Sequence, residues 1–497
     1  MNMKGKFNVL MAYSEVAPFV KTGGLGDVGG ALPKALKEMG HDVRVITPQY
    51  REINERRYIL RDVIRLQNIE VPLGGRKIKV NVKSAFLPNT KVQVYFLHYK
   101  PFYFRSGLYV DPKTGTDYPD NDQRFVLFSY AILETLKKLQ WQPDVIHCND
   151  WQTALIPFLL KTYYRDDPFF RGTCSLLTIH NFAFQGVYKT DPHFLGLEDF
   201  SMLQDTLCGQ NGEANFLKVG LFHADIFNTV SDTHVKEMLD PDKFDFGLNP
   251  ILVKRKKDFF GVLNGIDDAV WSPENDSYIT EPYNMKEPQG KAENKKALLE
   301  KLGFQAEPNV PVVAMISRLT DQKGMDLIRK GMDELLKLDL LFVILGVGDP
   351  EYHKFLKNVL KKHKNKISVH LDFDDTLAHQ IIAGADIFLM PSRFEPCGLT
   401  QLYALKYGTI PVVHRIGGLA DTIHPFDSAT GRGNGFVFDK PDTRSLLTTL
   451  KRALKMYRNE KAWQKIMKNA MRQDFSWAVS ARKYVKLYQK CVAKKKN

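Results

Sequence analysis

The sequence predicts an α/β architecture of two doubly wound domains that face each other across a deep cleft. Two observations predict it. Short apolar runs of strand length alternate with segments of helical spacing, as parallel sheets covered on both faces require. That alternation starts afresh after a stretch rich in Pro, Asn, Glu and Lys at 268–309. The length of 497 residues also exceeds what one hydrophobic core ordinarily organises, and points to roughly two to four domains.

In the first domain, an apolar strand at 7–13 leads through the glycine loop KTGGLGDVGG into a helix at 31–39, which Gly40 closes before a strand at 42–47. Further strands are expected at 92–97, 145–148, 175–179 and 226–229, with a helix at 125–139. After a helix at 292–302, the second domain repeats the pattern. Its strands are expected at 312–316, 341–345, 367–371, 387–390 and 410–413, and its helices at 324–337, 351–362, 375–383, 399–407 and 443–457. The expected division is a Rossmann-like domain over 1–262, a second over 263–474, and a C-terminal helix within 475–497 that rejoins the first. Open sheets of this kind bind ligands outside the carboxyl ends of their strands. Candidate chemistry is therefore sought in the segments that follow each strand.

Composition narrows the function classes. Hydrophobic residues at 44% and charged residues at 25% fit a soluble globular protein rather than a disordered or fibrous one. No apolar run approaches the ~20 residues of a membrane helix. The lysines ahead of FNVLMAY are followed by Ser14 and Glu15 with no small-residue cleavage site, so a first strand is expected and not a signal peptide. Cysteines at 148, 174, 208, 397 and 491 show no paired spacing. A sparse, odd set fits a reducing, cytoplasmic setting and neither a disulfide scaffold nor a zinc knuckle. A net charge of +14 would suit a polyanion, but the basic residues are dispersed apart from 254–257 and 494–496. They read as a solvated surface serving a phosphate-bearing small substrate, with neither nucleic acid nor membrane as partner. The oligomeric state is left open, a homo-oligomer included.

Gly24-x-Gly26-x-x-Gly29 matches the dinucleotide fingerprint and has the right flanks. Yet the second strand ends at Thr47-Pro48 without the acidic residue that holds a nicotinamide ribose, which disfavours a nicotinamide-dependent dehydrogenase. The physics of the loop survives without that cofactor. Gly23, Gly24 and Gly26 permit close backbone approach, the helix start offers N–H groups to an anion, and Lys21 adds a full charge. In the second domain, Arg318 and Lys323 flank a helix start in SRLTDQKG and can converge on a diphosphate, one as a fork and one as a point charge. Arg415-Ile416-Gly417-Gly418 follows the strand at 410–413 as a further backbone nest for phosphate.

Glu395 in SRFEPCGL follows an apolar strand and precedes a helix, which sets it at the cleft. Cys397 beside it reads as a packing residue, since no His or Asp orienter marks it as a nucleophile. His180-Asn181 and Asp150-Trp151 end strands of the first domain, where they can bind sugar hydroxyls or act as acid and base. No HxxxH or carboxylate cluster marks a metal site, and no cofactor is expected. The residues alone reach a diphosphate-bearing donor held in a cleft, with a non-catalytic glucan- or polyanion-binding protein as the competing class.

Together these segments resemble bacterial glycogen synthases and plant starch synthases, retaining family 5 glycosyltransferases of the GT-B fold. The resemblance rests on KTGGLGDVGGALPKAL at 21–36, NDWQTAL at 149–155, TIHNFAFQG at 178–186 and VLNGIDDAVWSP at 262–273. It continues with SRLTDQKG at 317–324, SRFEPCGLTQLYALKYG at 392–408 and GGLADT at 417–422, all in the family's order. It implies transfer of glucosyl from ADP-glucose to the non-reducing 4-hydroxyl of an α-1,4-glucan such as glycogen, with retention and without metal. UDP-glucose or another glucan acceptor is the nearer alternative.

The resemblance also implies roles for particular residues. Arg318 and Lys323 neutralise the leaving diphosphate, while Lys21 and the glycine loop close over the phosphates. Glu395 holds sugar hydroxyls, and Cys397, Gly398, Leu399 and Thr400 shape the same donor pocket. His180 lies on the glucose side, its carbonyl facing the oxocarbenium-like centre. Asp150 and Asn264 are further sugar-site residues, and Asp27 lies near the nucleotide. Phe373 stands where some members stack a tyrosine on adenine, Ile416 where RTGG is common, and Gln152 where others have DWH.

Overall fold

The computed structural model describes residues 5–197, 213–244, 246–305 and 309–496; Cys208 lies outside them. The chain forms two compact units. One comprises Met1–Val230, Val235–Gly265 and Trp477–Asn497, the other Ser231–His234 and Ile266–Ser476.

The first unit is built on parallel strands in the spatial order Phe259–Gly261, Ile226–Thr229, Cys174–Ile179, Val145–Asn149, Asn8–Ala12, Asp42–Pro48 and Gln93–His98. Asn8–Ala12 is the point where the order reverses, with Asp42–Pro48 on one side and Val145–Asn149 on the other. A strand flanked on both sides and covered on both faces needs a continuous apolar run, and Val9, Leu10, Met11 and Ala12 are all buried.

Between Pro48 and the helix expected at 125–139, the sequence leads to expect only one strand, at 92–97. The structure extends the sheet there in antiparallel fashion: Arg76–Phe86 pairs with Gln93–His98, and Arg61–Asp62 and Ile69–Leu73 pair with Arg76–Phe86. Within RKIKVNVKSAF, Val80 and Val82 are buried while Lys77 and Lys79 stay exposed. That is the period-two pattern of a half-solvated strand.

The helix Trp477–Lys496 returns to the first unit, burying Tyr484, Tyr488 and Cys491. The Tyr488 hydroxyl lies 2.9 Å from His147 Nδ1, and Cys491 Sγ donates to the Ser175 carbonyl at 3.3 Å. Among the described residues, Cys148, Cys174, Cys397 and Cys491 are buried and form no disulfide. None of the described helices is long and apolar enough to cross a membrane.

The second unit carries six parallel strands in the order Ile367–His370, Leu341–Leu345, Val312–Ile316, Ile387–Met390, Ile410–His414 and Phe436–Phe438. Numbered along the chain this is 3-2-1-4-5-6, a doubly wound order with its switch point between Val312–Ile316 and Ile387–Met390. Met325–Leu336 follows the first of these two strands and buries Leu327, Ile328, Met332 and Leu335 on one face. Thr400–Lys406 follows the other. Elements here that stand beyond those expected include the strand Phe436–Phe438 and the helices Gly417–Thr422 and Glu460–Met471. The strand is only three residues long, too short for its apolar run to separate it from a buried loop.

Candidate active site

At the first unit's switch point the chain leaves Asn8–Ala12 and turns through Glu15 into the glycine loop. The buried Glu15 carboxyl accepts the Thr22 N–H and, at 3.0 Å, the Thr22 hydroxyl. Burial outweighs those bonds and pushes its pKa up to about 7. Gly23 is the N-cap of the helix Gly24–Glu38 and supplies no side-chain cap. A Cβ on Gly26 would lie 2.5 Å from Lys21 Cβ, so only glycine lets the first helical turn sit against Lys21. Lys21 Nζ is 3.3 Å from Asp27 Oδ1, and with both side chains more than a third exposed this pair holds the lysine weakly.

Asp150 follows the neighbouring strand with φ at 54°, a region side-chain-bearing residues seldom occupy. Its carboxyl accepts the His180 N–H at 2.7 Å and also the Asn181 N–H, yet burial pushes its pKa up to about 7. The His180 ring meets Asn149 Oδ1 through Nε2 at 3.0 Å. Burial lowers the His180 pKa to about 3, so the imidazole is neutral across the physiological range. Asn264 is buried after the strand Phe259–Gly261, and its Oδ1 has no hydrogen-bond partner among the described residues. Such an acceptor is unusual in a native core and is suited to an incoming hydroxyl.

In the second unit, the loops after Val312–Ile316 and Ile387–Met390 meet. Lys323 Nζ lies 2.6 Å from Glu395 Oε2, with the side chains 18% and 7% exposed. The Ser392 hydroxyl donates to the same oxygen at 2.9 Å. Arg393 forks onto Asp326 at 3.1 and 2.6 Å, and its N–H donates to the Gln322 carbonyl at 2.9 Å. These bonds stitch the two loops together and fix the carboxylate. Arg318 is exposed and, among the described residues, reaches only the Gln322 amide oxygen at 3.3 Å, which leaves most of its donor fork to solvent.

Gly417 and Gly418 press on the Glu395–Cys397 backbone. A Cβ on Gly417 would collide with the Glu395 carbonyl, and one on Gly418 with the Cys397 carbonyl. The Gly418 N–H donates to the Glu395 and Pro396 carbonyls at 3.1 and 3.0 Å. Of the backbone donors in the phosphate nest expected at that position, the Gly418 N–H serves an internal turn, and the glycine pair packs against the backbone that carries Glu395. Gly398, at φ 70°, and Leu399 lead into Thr400–Lys406, where the Thr400 hydroxyl donates to Met390 Sδ at 3.5 Å. Gln401 Nε2 donates to the Cys397 and Gly398 carbonyls at 2.9 and 3.0 Å, locking the turn. Phe373 stands apart, between Ile367–His370 and Asp375–Gly384, with 75% of its surface exposed.

The structure thus joins Lys323, Glu395 and the glycine pair in one unit, and Asp150 and His180 in the other. It adds groups that sequence reasoning missed: Ser392 and the Arg393–Asp326 fork around Glu395, Asn149 on the His180 ring, and Glu15 under the glycine loop. Three of these adjoin a motif already singled out. Position beside a recognised residue was the available signal.

Residues 8–254 match the family model described as starch synthase catalytic domain, and residues 297–472 match glycosyl transferases group 1. The chain is 44% identical over 491 residues to the glycogen synthase of Geotalea daltonii, covering 98% of this chain and 99% of that protein. It is 42% identical over 494 residues to the glycogen synthase of Thermotoga maritima, with coverage of 98% and 99%. Among solved structures, the catalytic domain of starch synthase IV from Arabidopsis thaliana, bound to ADP and acarbose, matches with a TM-score of 0.89. The identity there is 34%, covering 98% of this chain and 99% of that one.

Proposed function

The chain belongs to the glycogen and starch synthase family of two-domain GT-B glycosyltransferases, and we propose that it lengthens α-1,4-glucans with glucosyl units from ADP-glucose. The observation that carries this reading is the second unit's switch point, where Lys323 and Glu395 meet at 2.6 Å beside an exposed Arg318. It lies in a chain similar over nearly its whole length to a synthase bound to ADP and acarbose.

In the reaction, the bond between the donor's anomeric carbon and its diphosphate oxygen breaks, and the acceptor's 4-oxygen bonds to that carbon. The acceptor proton passes to the departing phosphate on the same face, so configuration is retained and ADP leaves. Arg318 and Lys323 offset the charge growing on the diphosphate, the kind of electrostatic help that dominates such steps. Lys21 and the loop of Gly23, Gly24 and Gly26 offer further positive potential to phosphate, and Asp27 tempers it.

Glu395, oriented by Lys323 and Ser392, accepts hydrogen bonds from glucosyl hydroxyls, while Cys397, Gly398, Leu399 and Thr400 shape the wall around it. Gly417 and Gly418 support that wall from behind. His180, Asp150 and Asn264 read sugar hydroxyls in the first unit, and the His180 carbonyl faces the developing positive charge. Phe373 gives the adenine a stacking surface. No carboxylate is asked to act as the nucleophile that a retaining glycosidase uses. The cysteines fit a cytoplasmic enzyme, and the dispersed basic surface fits small phosphate-bearing substrates in preference to nucleic acid.

The test is purified protein with glycogen and either ADP-glucose or UDP-glucose, scored by glucan elongation, nucleotide release and product linkage. The proposal expects α-1,4 elongation with one ADP released per residue added. Equal or higher kcat/KM with UDP-glucose would overturn the donor assignment, and no elongation with either donor would overturn the function.

A further inference from the structure

Asn149 ends the strand Val145–Asn149 with its side chain fully buried. Its Nδ2 lies 3.2 Å from the Ala12 carbonyl and 3.3 Å from the His147 carbonyl. Carbonyl oxygens only accept, so the opposite amide orientation would press Oδ1 against two acceptors. The amide direction is therefore determined by its surroundings, and Oδ1 faces His180 Nε2 at 3.0 Å. An amide oxygen cannot donate, so Nε2 carries the hydrogen. In a neutral imidazole that leaves Nδ1 with a lone pair.

The clamp is rigid on both sides. The Asn149 N–H donates to the Thr153 hydroxyl oxygen at 2.6 Å, and that hydroxyl donates back to the Asn149 carbonyl at 2.9 Å. The next residue, Asp150, takes the His180 N–H at 2.7 Å. Two consecutive residues thus grip one histidine, Asn149 by its ring and Asp150 by its backbone.

We propose that Asn149 is a positioning residue that fixes His180 as the Nε2–H tautomer, making Nδ1 an acceptor for a sugar hydroxyl. The sugar ligand rests on the function proposed above; the tautomer does not. His180 then selects a hydroxyl presented as a donor, and the wrong tautomer would turn an N–H toward that hydroxyl and require it to accept instead. Because Asn149 presents an acceptor to Nε2 from within the protein itself, the preference is built in before substrate arrives.

The experiment is nitrogen-15 NMR of the labelled full chain at about pH 8, where an unperturbed imidazole is neutral. His180 is assigned by the resonances that vanish in His180→Gln. The expected spectrum has a pyrrole-type Nε2 and a pyridine-type Nδ1, and addition of ADP with acarbose shifts Nδ1 while Nε2 keeps its type. A pyrrole-type Nδ1 in the wild-type chain overturns the proposal, whatever the variants do.

Asn149→Leu removes the acceptor and is expected to mix the tautomers. It should lower kcat by roughly 3- to 10-fold, the range of one hydrogen bond between neutral groups, with ADP-glucose KM moving less than about 2-fold. Asn149→Asp loses the Nδ2 donor but keeps an acceptor oxygen, so it should retain Nε2–H. If Asn149 only braced the strands, both variants would fail alike and tautomer would not track activity; that result overturns the proposal. Failure to elongate glucan with an Nε2–H spectrum counts against the proposed function alone, and elongation with an Nδ1–H spectrum counts against the tautomer alone.

Discussion

The loop after Asn8–Ala12 and the loop after Val312–Ile316 occupy the same place in two sheets of matching strand order, and the ionisable groups buried around them differ. The second unit holds an ion pair, Lys323 with Glu395, beside the exposed guanidinium of Arg318. The first holds ionisable groups pushed toward neutrality: Glu15 and Asp150 with pKa values raised to about 7, and His180 lowered to about 3. Burial is the leading cause in all three. One topology therefore supplies a charged site suited to a diphosphate and a nearly neutral, hydrogen-bonding site suited to hydroxyls. The strand order sets where the chemistry sits, and the residues after each strand set what it is.

The largest expected break in that contrast is Lys323→Ala. Loss of a cation that acts on the leaving group should cut kcat by ~100- to 1,000-fold, with a smaller change in KM; steady-state kinetics with ADP-glucose and glycogen checks this, and near wild-type kcat would remove Lys323 from the chemistry. Glu395→Ala should lower kcat/KM by roughly 10- to 100-fold, since it deletes hydroxyl contacts and leaves Lys323 without its partner. An unchanged kcat/KM would dissociate the ion pair from the sugar.

Gly418→Ala sharpens the comparison from behind the site. Its Cβ would collide with the Cys397 carbonyl, so chemical denaturation should report a loss of about 1–3 kcal/mol, as overpacking usually costs. Wild-type stability would mean that the turn yields easily.

A subtler effect is expected at Asp150. Its folded pKa of about 7 lies above the ordinary 3.8, so its contribution to stability is complete below about pH 4 and is lost as pH rises through 7. Asp150→Asn keeps the Oδ1 acceptor and removes that ionisation. The wild type should lose Tm relative to this variant between about pH 4 and 7, and parallel Tm curves would show that Asp150 does not titrate there. Smallest of all, Phe373→Ala should raise KM for ADP-glucose by roughly 3- to 10-fold, the worth of one aromatic stack, and leave stability unchanged because the ring is exposed.

Much of this was legible in the chain. Runs such as VVAMI at 312–316 and LFVIL at 341–345 are continuous apolar strands because parallel strands are covered on both faces. The residues after them could then be assigned to a ligand-bearing edge. The segment 61–86 was not legible, since its mixture of lysines and single apolar residues resembles a solvated loop until a partner strand gives it a buried face. The internal partner of the Gly418 N–H was hidden for a related reason: it is bound by the Glu395 and Pro396 carbonyls, 23 and 22 residues earlier in the chain. Asn149 was passed over because its partners Ala12, His147 and His180 converge only when three strands lie side by side. Local patterns reveal elements and motifs; backbone approach and amide direction exist only after packing.

The contrast between the charged Lys323 site and the nearly neutral Asp150–His180 site is tested most directly by calorimetric titration of ADP alone into Lys323→Ala and Asp150→Asn. The account predicts that Lys323→Ala weakens ADP binding by roughly 10-fold or more, and that Asp150→Asn leaves Kd within about 2-fold of wild type. An equal loss of ADP affinity in both variants, or a loss only in Asp150→Asn, would contradict it.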